Sequence, residues 1–324
     1  MISAVKRREQ AVSRSSSRSS AAVPKAPSSS RSATARAAVD EPPDPAESSR
    51  PGPRKNRAGR NLPAAIGVGA GLSAVIVASL LLEKVVYVGL IAAVVVLGLR
   101  ELTSAFRQRD VRIPLIPVTV GGLGMVVAAY FKGEDALAAA LALTAVATVV
   151  WRLADGSEGF LRDASAGVFA AVYVPYLAGF AALLTSADHG AQRTLIFMIL
   201  VVCNDTGGYI AGVLIGRHPM APNISPKKSW EGLVGSLIAA GAAGAVCLPA
   251  MLHGQAWQGA ALGAAAVASA TLGDLCESMI KRDLGIKDMG SLLPGHGGIM
   301  DRLDSLLPTA PVAWLLMTLF VPLK

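Results

Sequence analysis

From about residue 62 to the C terminus, apolar runs alternate with short polar, Pro-rich or Gly-rich breaks. Most runs approach the ~20 residues a helix needs to cross about 30 Å of hydrocarbon. Nine spans are delimited in this way: 62–82, 85–100, 113–131, 135–151, 165–185, 194–216, 231–252, 258–280 and 304–322, of which the second and fourth are short. The pattern predicts an all-α polytopic membrane protein of about nine transmembrane helices. No internal repeat stands out.

Composition agrees. Of 324 residues, 52% are hydrophobic and 16% charged, against about 25% charged in an ordinary soluble domain. The net charge of +8 resides wholly in residues 1–60, which hold 13 Lys and Arg against five acids; residues 61–324 hold 17 of each sign. That segment is rich in Ser, Arg, Ala and Pro without apolar periodicity, so it is expected to be a disordered basic tail. No apolar core follows Lys6-Arg7-Arg8, as a cleavable signal peptide would require. Weak contact with an anionic leaflet or a nucleic acid is one reading of the tail, and a solvated extension the simpler one. The expected division is a tail (1–60), N-terminal transmembrane helices (61–190) and a C-terminal transmembrane catalytic region (191–324). Cys203, Cys247 and Cys276 lie in apolar segments without CxxC spacing, which reads as small core residues rather than a zinc site or disulfides.

Charge asymmetry orients the spans. With the N terminus in the cytoplasm, 13 basic residues fall on one side, among them Arg100, Arg152, Lys227, Lys228, Lys281 and Arg302; the other side has Lys84, Lys132, Arg193 and Lys324. The positive-inside rule then predicts a multi-pass cell-membrane protein with a cytoplasmic N terminus and an external C terminus.

Asp205, Glu231, Asp274 and Glu277 fall inside or at the ends of spans. A carboxylate at the bilayer centre costs about 2.5–3.5 kcal/mol on insertion scales, so a polar, cytoplasm-facing cavity is expected. Asp274, Glu277, Ser278 and Lys281 share one helix face at about 100° per residue, and Ala265, Leu272 and Met279 take the opposite one. Cys203-Asn204-Asp205-Thr206-Gly207-Gly208-Tyr209 is a polar patch midway along a span, its glycines suited to close approach or unwinding. Asn223-Ile-Ser225-Pro226-Lys227-Lys228-Ser229-Trp230-Glu231-Gly232 offers hydroxyls and ammoniums before a helix start, where backbone amides suit phosphate. Between Ser278 and Asp304 stand eight charged residues and His296. Carboxylates beside phosphate-ready groups, with no His/Cys cluster, favour Mg²⁺ over zinc. Each feature alone has a plainer reading: a Glu277–Lys281 i,i+4 pair, small-residue helix packing, or a basic interfacial anchor.

The residues Ser278-x-x-Lys281-Arg282-x4-Lys287-Asp288-x5-Pro294-x-His296-Gly297-Gly298-x-x-Asp301-Arg302-x-Asp304 resemble the signature of the phosphatidate cytidylyltransferases, or CDP-diacylglycerol synthases. The Asn204-Asp205 patch and the Ser225–Gly232 run resemble further blocks of that family, with Ser229 where Thr is usual and Gly207-Gly208 where Ala is more common. The resemblance implies condensation of CTP with phosphatidic acid to CDP-diacylglycerol and pyrophosphate. It implies Asp274 and Asp301 as ligands of Mg²⁺, with room for a second cation, and Lys227, Lys228, Lys281 and Arg302 as phosphate partners. Ser225 and the Gly297 and Gly298 amides become hydrogen-bond donors. Asp205 and Glu277 become orienting or base- and ribose-binding groups, with Ser278, His296 and Asp304 also at the substrate. The expected partners are CTP, phosphatidic acid and the bilayer, with a homodimer allowed and no specific nucleic acid. Two rival readings are a CDP-alcohol phosphotransferase, whose denser aspartate run is missing, and a cation transporter, which leaves the clustered basic residues unexplained.

Overall fold

The computed structural model of the protein describes residues 71, 74–290 and 298–322. Residues 74–82 are helical and lead into α1 (Lys84–Arg107), α2 (Leu115–Lys132), α3 (Glu134–Leu153), α4 (Phe160–Ala171), α5 (Leu177–Ser186) and α6 (Gly190–Ile215). Strands β1 (Pro219–Ala221) and β2 (Ser225–Ser229) follow, then α7 (Trp230–Leu252), α8 (Ala256–Leu284), α9 (Met300–Leu303) and α10 (Leu306–Phe320). Eight helical segments among the described residues are long and apolar enough to cross a bilayer, α4–α5 and α9–α10 each acting as one. They coincide with the last eight predicted spans. Most of the first span and the whole basic tail lie outside the described residues, as do Pro294, His296, Gly297 and Lys324.

The outer faces keep large apolar side chains exposed, such as Ile116, Val120 and Phe131 on α2 and Leu214 and Ile215 on α6. In water such surface would drive association; in a bilayer it is the solvated surface. Leu99, Leu102, Met125, Val174, Leu200 and Met300 form the interior. The two short predicted spans are longer in the structure, 24 residues for α1 and 20 for α3. Charge at a span end marked their limit in the sequence, yet Glu101 and Arg152 are buried within the helices. Arg152 donates to Asp163 Oδ2 and to the Glu158 carbonyl, and the Arg112 amide donates to Asp163 Oδ1, which ties α3, α4 and the loop before α2.

Several local features refine the picture. Helix α6 runs unbroken through Gly207 and Gly208, so these glycines serve close approach rather than unwinding: a Cβ on Gly207 would lie 2.6 Å from the Ala239 Cβ, and one on Gly208 2.6 Å from the Ser236 Oγ. The segment before α7 is a two-stranded antiparallel ribbon, with Pro219 opposite Ser229 and Ala221 opposite Ser225. Between α4 and α5 lies a π-turn, Val172–Tyr176, containing Pro175, which lacks the N–H needed to continue an α-helical ladder. Cys203 and Cys247 are half-buried as expected, whereas Cys276 is exposed, on a flank of α8 rather than in the core.

Arg193 has a packing role that charge counting alone does not reveal. It is buried at the start of α6, where Nη1 donates to the Met317 carbonyl at 3.0 Å, Nη2 to the Val321 carbonyl at 2.6 Å and Nε to the Asp188 carbonyl at 2.9 Å. One guanidinium thereby satisfies carbonyls at the end of α10, which a helix leaves without intrahelical partners. Arg193→Leu should destabilise the protein by roughly 2–3 kcal/mol, the range for hydrogen bonds to a charged group. A lowered thermal midpoint of the detergent-solubilised variant is the readout, and an unchanged midpoint would contradict this role.

Candidate active site

The longest helix, α8, carries the polar face. Leu272 and Met279 on its opposite side are 62% and 52% exposed, Glu277 is fully buried, and Asp274, Ser278 and Lys281 are partly buried. The predicted amphipathic division is therefore present, with the acids turned inward. Gly273 allows the start of the last span to close on this face: a Cβ there would lie 2.6 Å from Pro308 Cγ and nearer still to the Asp304 carbonyl oxygen.

A polar cavity of about 230 Å³ opens beside α8. Its walls include Asn204 and Asp205 from α6, Lys227, Lys228 and Ser229 from the ribbon, and Thr271 and Asp274 from α8. The ribbon brings its lysines into the bundle: Lys228 Nζ makes an ion pair with Asp274 Oδ2, and Arg282 Nε donates to the Ile224 carbonyl at the turn. Ser229 caps α7 as its sequence position predicts, its Oγ accepting from the Gly232 amide at 3.1 Å. Glu231 in the first turn receives the His218 amide and ring nitrogen. Asp205 is held by the Asn204 amide group at 2.9 Å, and the Asn204 carbonyl accepts from Ser236 Oγ at 2.7 Å. Ser225 opens β2 without lining this cavity.

A second cluster adjoins it around Lys281. Its ammonium contacts Asp301 Oδ1 at 3.0 Å and Glu277 Oε2 at 3.3 Å. The Asp304 carboxyl adjoins that of Glu277, and the Ser305 amide donates to Asp304 Oδ1. Asp301 also accepts from the Gly298 amide at 2.8 Å and from the Met289 amide at 3.2 Å. The Gly298 N–H, expected at a phosphate, is thus engaged by a carboxylate three residues along. Asp274 and Asp301, the acids expected to hold Mg²⁺, lie in the first and the second of these clusters respectively. Each carboxylate carries its own lysine, and among the described residues no group of three or more His, Cys, Asp or Glu side chains is placed to hold a metal.

Glu101, absent from the expected site, belongs beside this cluster. It comes from α1, is 9% exposed, and its Oε2 accepts from the Met300 amide at 2.9 Å. A Cβ on Gly298 would lie 2.6 Å from Oε2, and Gly290 packs as tightly on the same carboxyl group. Glu101 and Asp301 therefore grip the 289–290 and 298–300 segments from two sides. Glu101→Ala should lower kcat/KM by about 10–100-fold, the usual cost of losing a supporting group around a polar site. Glu101→Gln, which keeps the acceptor, should stay within a few-fold; equal losses in the two variants would show that charge rather than positioning matters.

Fold and site together define a polytopic membrane protein whose cavity pairs carboxylates with lysines at a capped helix start, an arrangement suited to phosphate-bearing substrates. The chain belongs to the cytidylyltransferase family, whose profile matches residues 64–320. It is 45% identical over 280 residues to a phosphatidate cytidylyltransferase of Mycobacterium leprae, covering 81% of this chain and 89% of that protein. A phosphatidate cytidylyltransferase of Mycobacterium bovis is 41% identical over 282 residues, 83% of this chain and 92% of the relative. One from Helicobacter pylori is 36% identical over 183 residues, 56% of this chain and 65% of its own length.

Proposed function

We propose that the protein is a phosphatidate cytidylyltransferase: it condenses CTP with phosphatidic acid to give CDP-diacylglycerol and pyrophosphate. The observation that carries the reading is the polar cavity, in which Lys227 and Lys228 face Asp205 and Asp274 at the N terminus of α7. An oxygen of the lipid phosphate attacks the α-phosphorus of CTP, the bond from that phosphorus to the bridging oxygen breaks, and pyrophosphate leaves with the electron pair. The nucleophile is already ionised, so no general base is required. What the site must supply is alignment of two mutually repelling anions and compensation of charge on the departing group.

Lys227 and Lys228 suit the nucleotide phosphates, and Lys228 is free to exchange its Asp274 contact for a phosphate oxygen when substrate enters. Asp205, steadied by Asn204, offers an acceptor for a base or ribose hydroxyl. Lys281 and Arg302 stand at the start of the last span, where the lipid phosphate would meet the nucleotide. The donor set also fits Mg²⁺: Asp274 and Asp301 are hard oxygen donors, and an ammonium already stands against each. Mg²⁺ commonly takes only one or two protein carboxylates, keeping its other positions for water and phosphate. Asp274 and Asp301 would hold the ion, which when bound would draw negative charge from the phosphates. With the N terminus in the cytoplasm and the C terminus outside, this cavity would open to the compartment that holds CTP.

The purified protein with CTP, phosphatidic acid and Mg²⁺ should release one pyrophosphate per lipid-linked CMP. Replacing CTP by ATP should abolish both products, and pyrophosphate release without phosphatidic acid would contradict the reading.

A further inference from the structure

The ribbon that carries Lys227 and Lys228 has little of its own to hold it in place. Strands β1 and β2 are three and five residues long, and an isolated two-stranded hairpin is marginally stable in water. Pro219 and Pro226 remove a donor from each strand, and the register is irregular between Pro219 and Ala221. The position of the two lysines at the polar cavity must therefore be imposed from outside the ladder.

Contacts at the two ends of the ribbon do this. At the turn, Arg282 Nε of α8 donates to the Ile224 carbonyl at 3.3 Å. At the base, His218 stands just before β1 and Glu231 in the first turn of α7. The His218 amide donates to Glu231 Oε2 at 3.2 Å and its ring Nδ1 to Glu231 Oε1 at 2.5 Å, while its carbonyl accepts from the Trp230 amide at 3.0 Å. Both oxygens of one carboxylate thus close on one residue across the mouth of the hairpin. The His218 side chain is 78% exposed, so the pair adds little to folding through burial or charge. A carboxylate in the first turn of a helix is favoured by the helix dipole whatever it touches. The two-pronged grip on His218 is something the dipole does not demand.

We infer that Glu231 is a positioning residue for the nucleotide: its clasp on His218 closes the base of the ribbon and holds Lys227 and Lys228 where the CTP phosphates arrive. This inference rests on the proposed reaction and adds to it a residue that acts on the substrate only through the ribbon. Lys228 lies three positions before Glu231. A loosened base spreads the two ammoniums over many positions, and the nucleotide must then order them as it binds. Once CTP is bound the lysines are in place, so the loss falls on affinity rather than on the chemical step.

Glu231→Ala should raise the KM for CTP by about tenfold, the lower end of what losing a supporting group costs. The kcat, the KM for phosphatidic acid and the thermal midpoint should hardly move. Glu231→Gln should stay close to the wild type, since its oxygen can accept from the His218 amide and its NH₂ group can donate to the ring nitrogen. A loss in Glu231→Gln equal to that in Glu231→Ala would assign the effect to charge at the helix start and overturn the inference. His218→Ala should raise the KM for CTP less than Glu231→Ala does, because the His218 amide remains, and adding it to Glu231→Ala should cost nothing further, because both act through one clasp. Additive losses, or a KM for phosphatidic acid that rises as much as that for CTP, would overturn the inference. Amide hydrogen exchange across residues 219–229 should quicken in Glu231→Ala while that of α8 stays as in the wild type, and unchanged exchange in the ribbon would overturn the clasp without any kinetic measurement. A wild-type protein that makes no CDP-diacylglycerol would instead overturn the reaction on which the inference rests.

Discussion

An Asp274→Asn variant should insert and fold normally yet lose CTP-dependent turnover by roughly 10²–10³-fold, the range for removing one preorganised charged group from a transition-state site. The expectation follows from position. Asp274 lines the polar cavity and its Oδ2 faces Lys228, while its other oxygen has no protein partner among the described residues. The amide substitution keeps the size and one acceptor but removes the charge that holds Lys228 and the charge a divalent cation would need. Stability should change little, because the group is partly exposed and its partner can turn to water. A variant with near-wild-type turnover would remove Asp274 from the chemistry altogether. The loss should also persist at saturating CTP, since a group that acts on the reacting phosphates lowers kcat as well as affinity.

Lys281→Met should damage both stability and activity. The ammonium lies against Glu277, which is fully buried, and against Asp301, and no other cation is paired with either carboxylate among the described residues. Removing the ammonium leaves buried carboxyl groups without one of their hydrogen-bond donors, a cost of roughly 1–3 kcal/mol. Asp301 would also lose one of the contacts that fix the turn before α9. Adding Glu277→Gln to Lys281→Met should restore most of the lost thermal midpoint, because the amide can donate to the adjoining Asp304 carboxyl without a cation, but not the turnover, because Asp301 still lacks its ammonium. If the double variant regains activity together with stability, Lys281 is a packing residue and its place at the lipid phosphate falls.

The parts of this site that were legible in sequence are those in which polarity interrupts an apolar period. Asp274, Glu277 and Lys281 recur at helical spacing on a span whose other side is Leu272 and Met279, so one face had to be internal. The Ser229 cap was equally legible, because a hydroxyl before Trp230-Glu231-Gly232 has a local function. Glu101 and Arg193 were not legible, because each is a single charge near the end of an apolar run and looks like an interfacial residue. Their partners are the Met300 amide, 199 positions away, and the Met317 and Val321 carbonyls, 124 and 128 positions away. Contacts with backbone groups leave no side-chain pattern to read. The division of Asp274 and Asp301 between two lysines was hidden for a similar reason. The spacing of the two acids says that both reach one region, but the Lys228 pairing depends on a ribbon whose alternation covers only a few residues.

In the proposed reaction a lipid phosphate attacks the α-phosphorus of CTP in the Asp274–Lys228 cavity. Purified enzyme in mixed micelles, given phosphatidic acid, Mg²⁺ and CTP radiolabelled at either the α- or the γ-phosphorus, tests it most directly. Label from the α-position should appear in CDP-diacylglycerol and label from the γ-position wholly in pyrophosphate, with both signals lost in the Asp274→Asn variant. Label from the γ-position in the lipid fraction, or undiminished α-transfer in that variant, would contradict this reaction at this cavity.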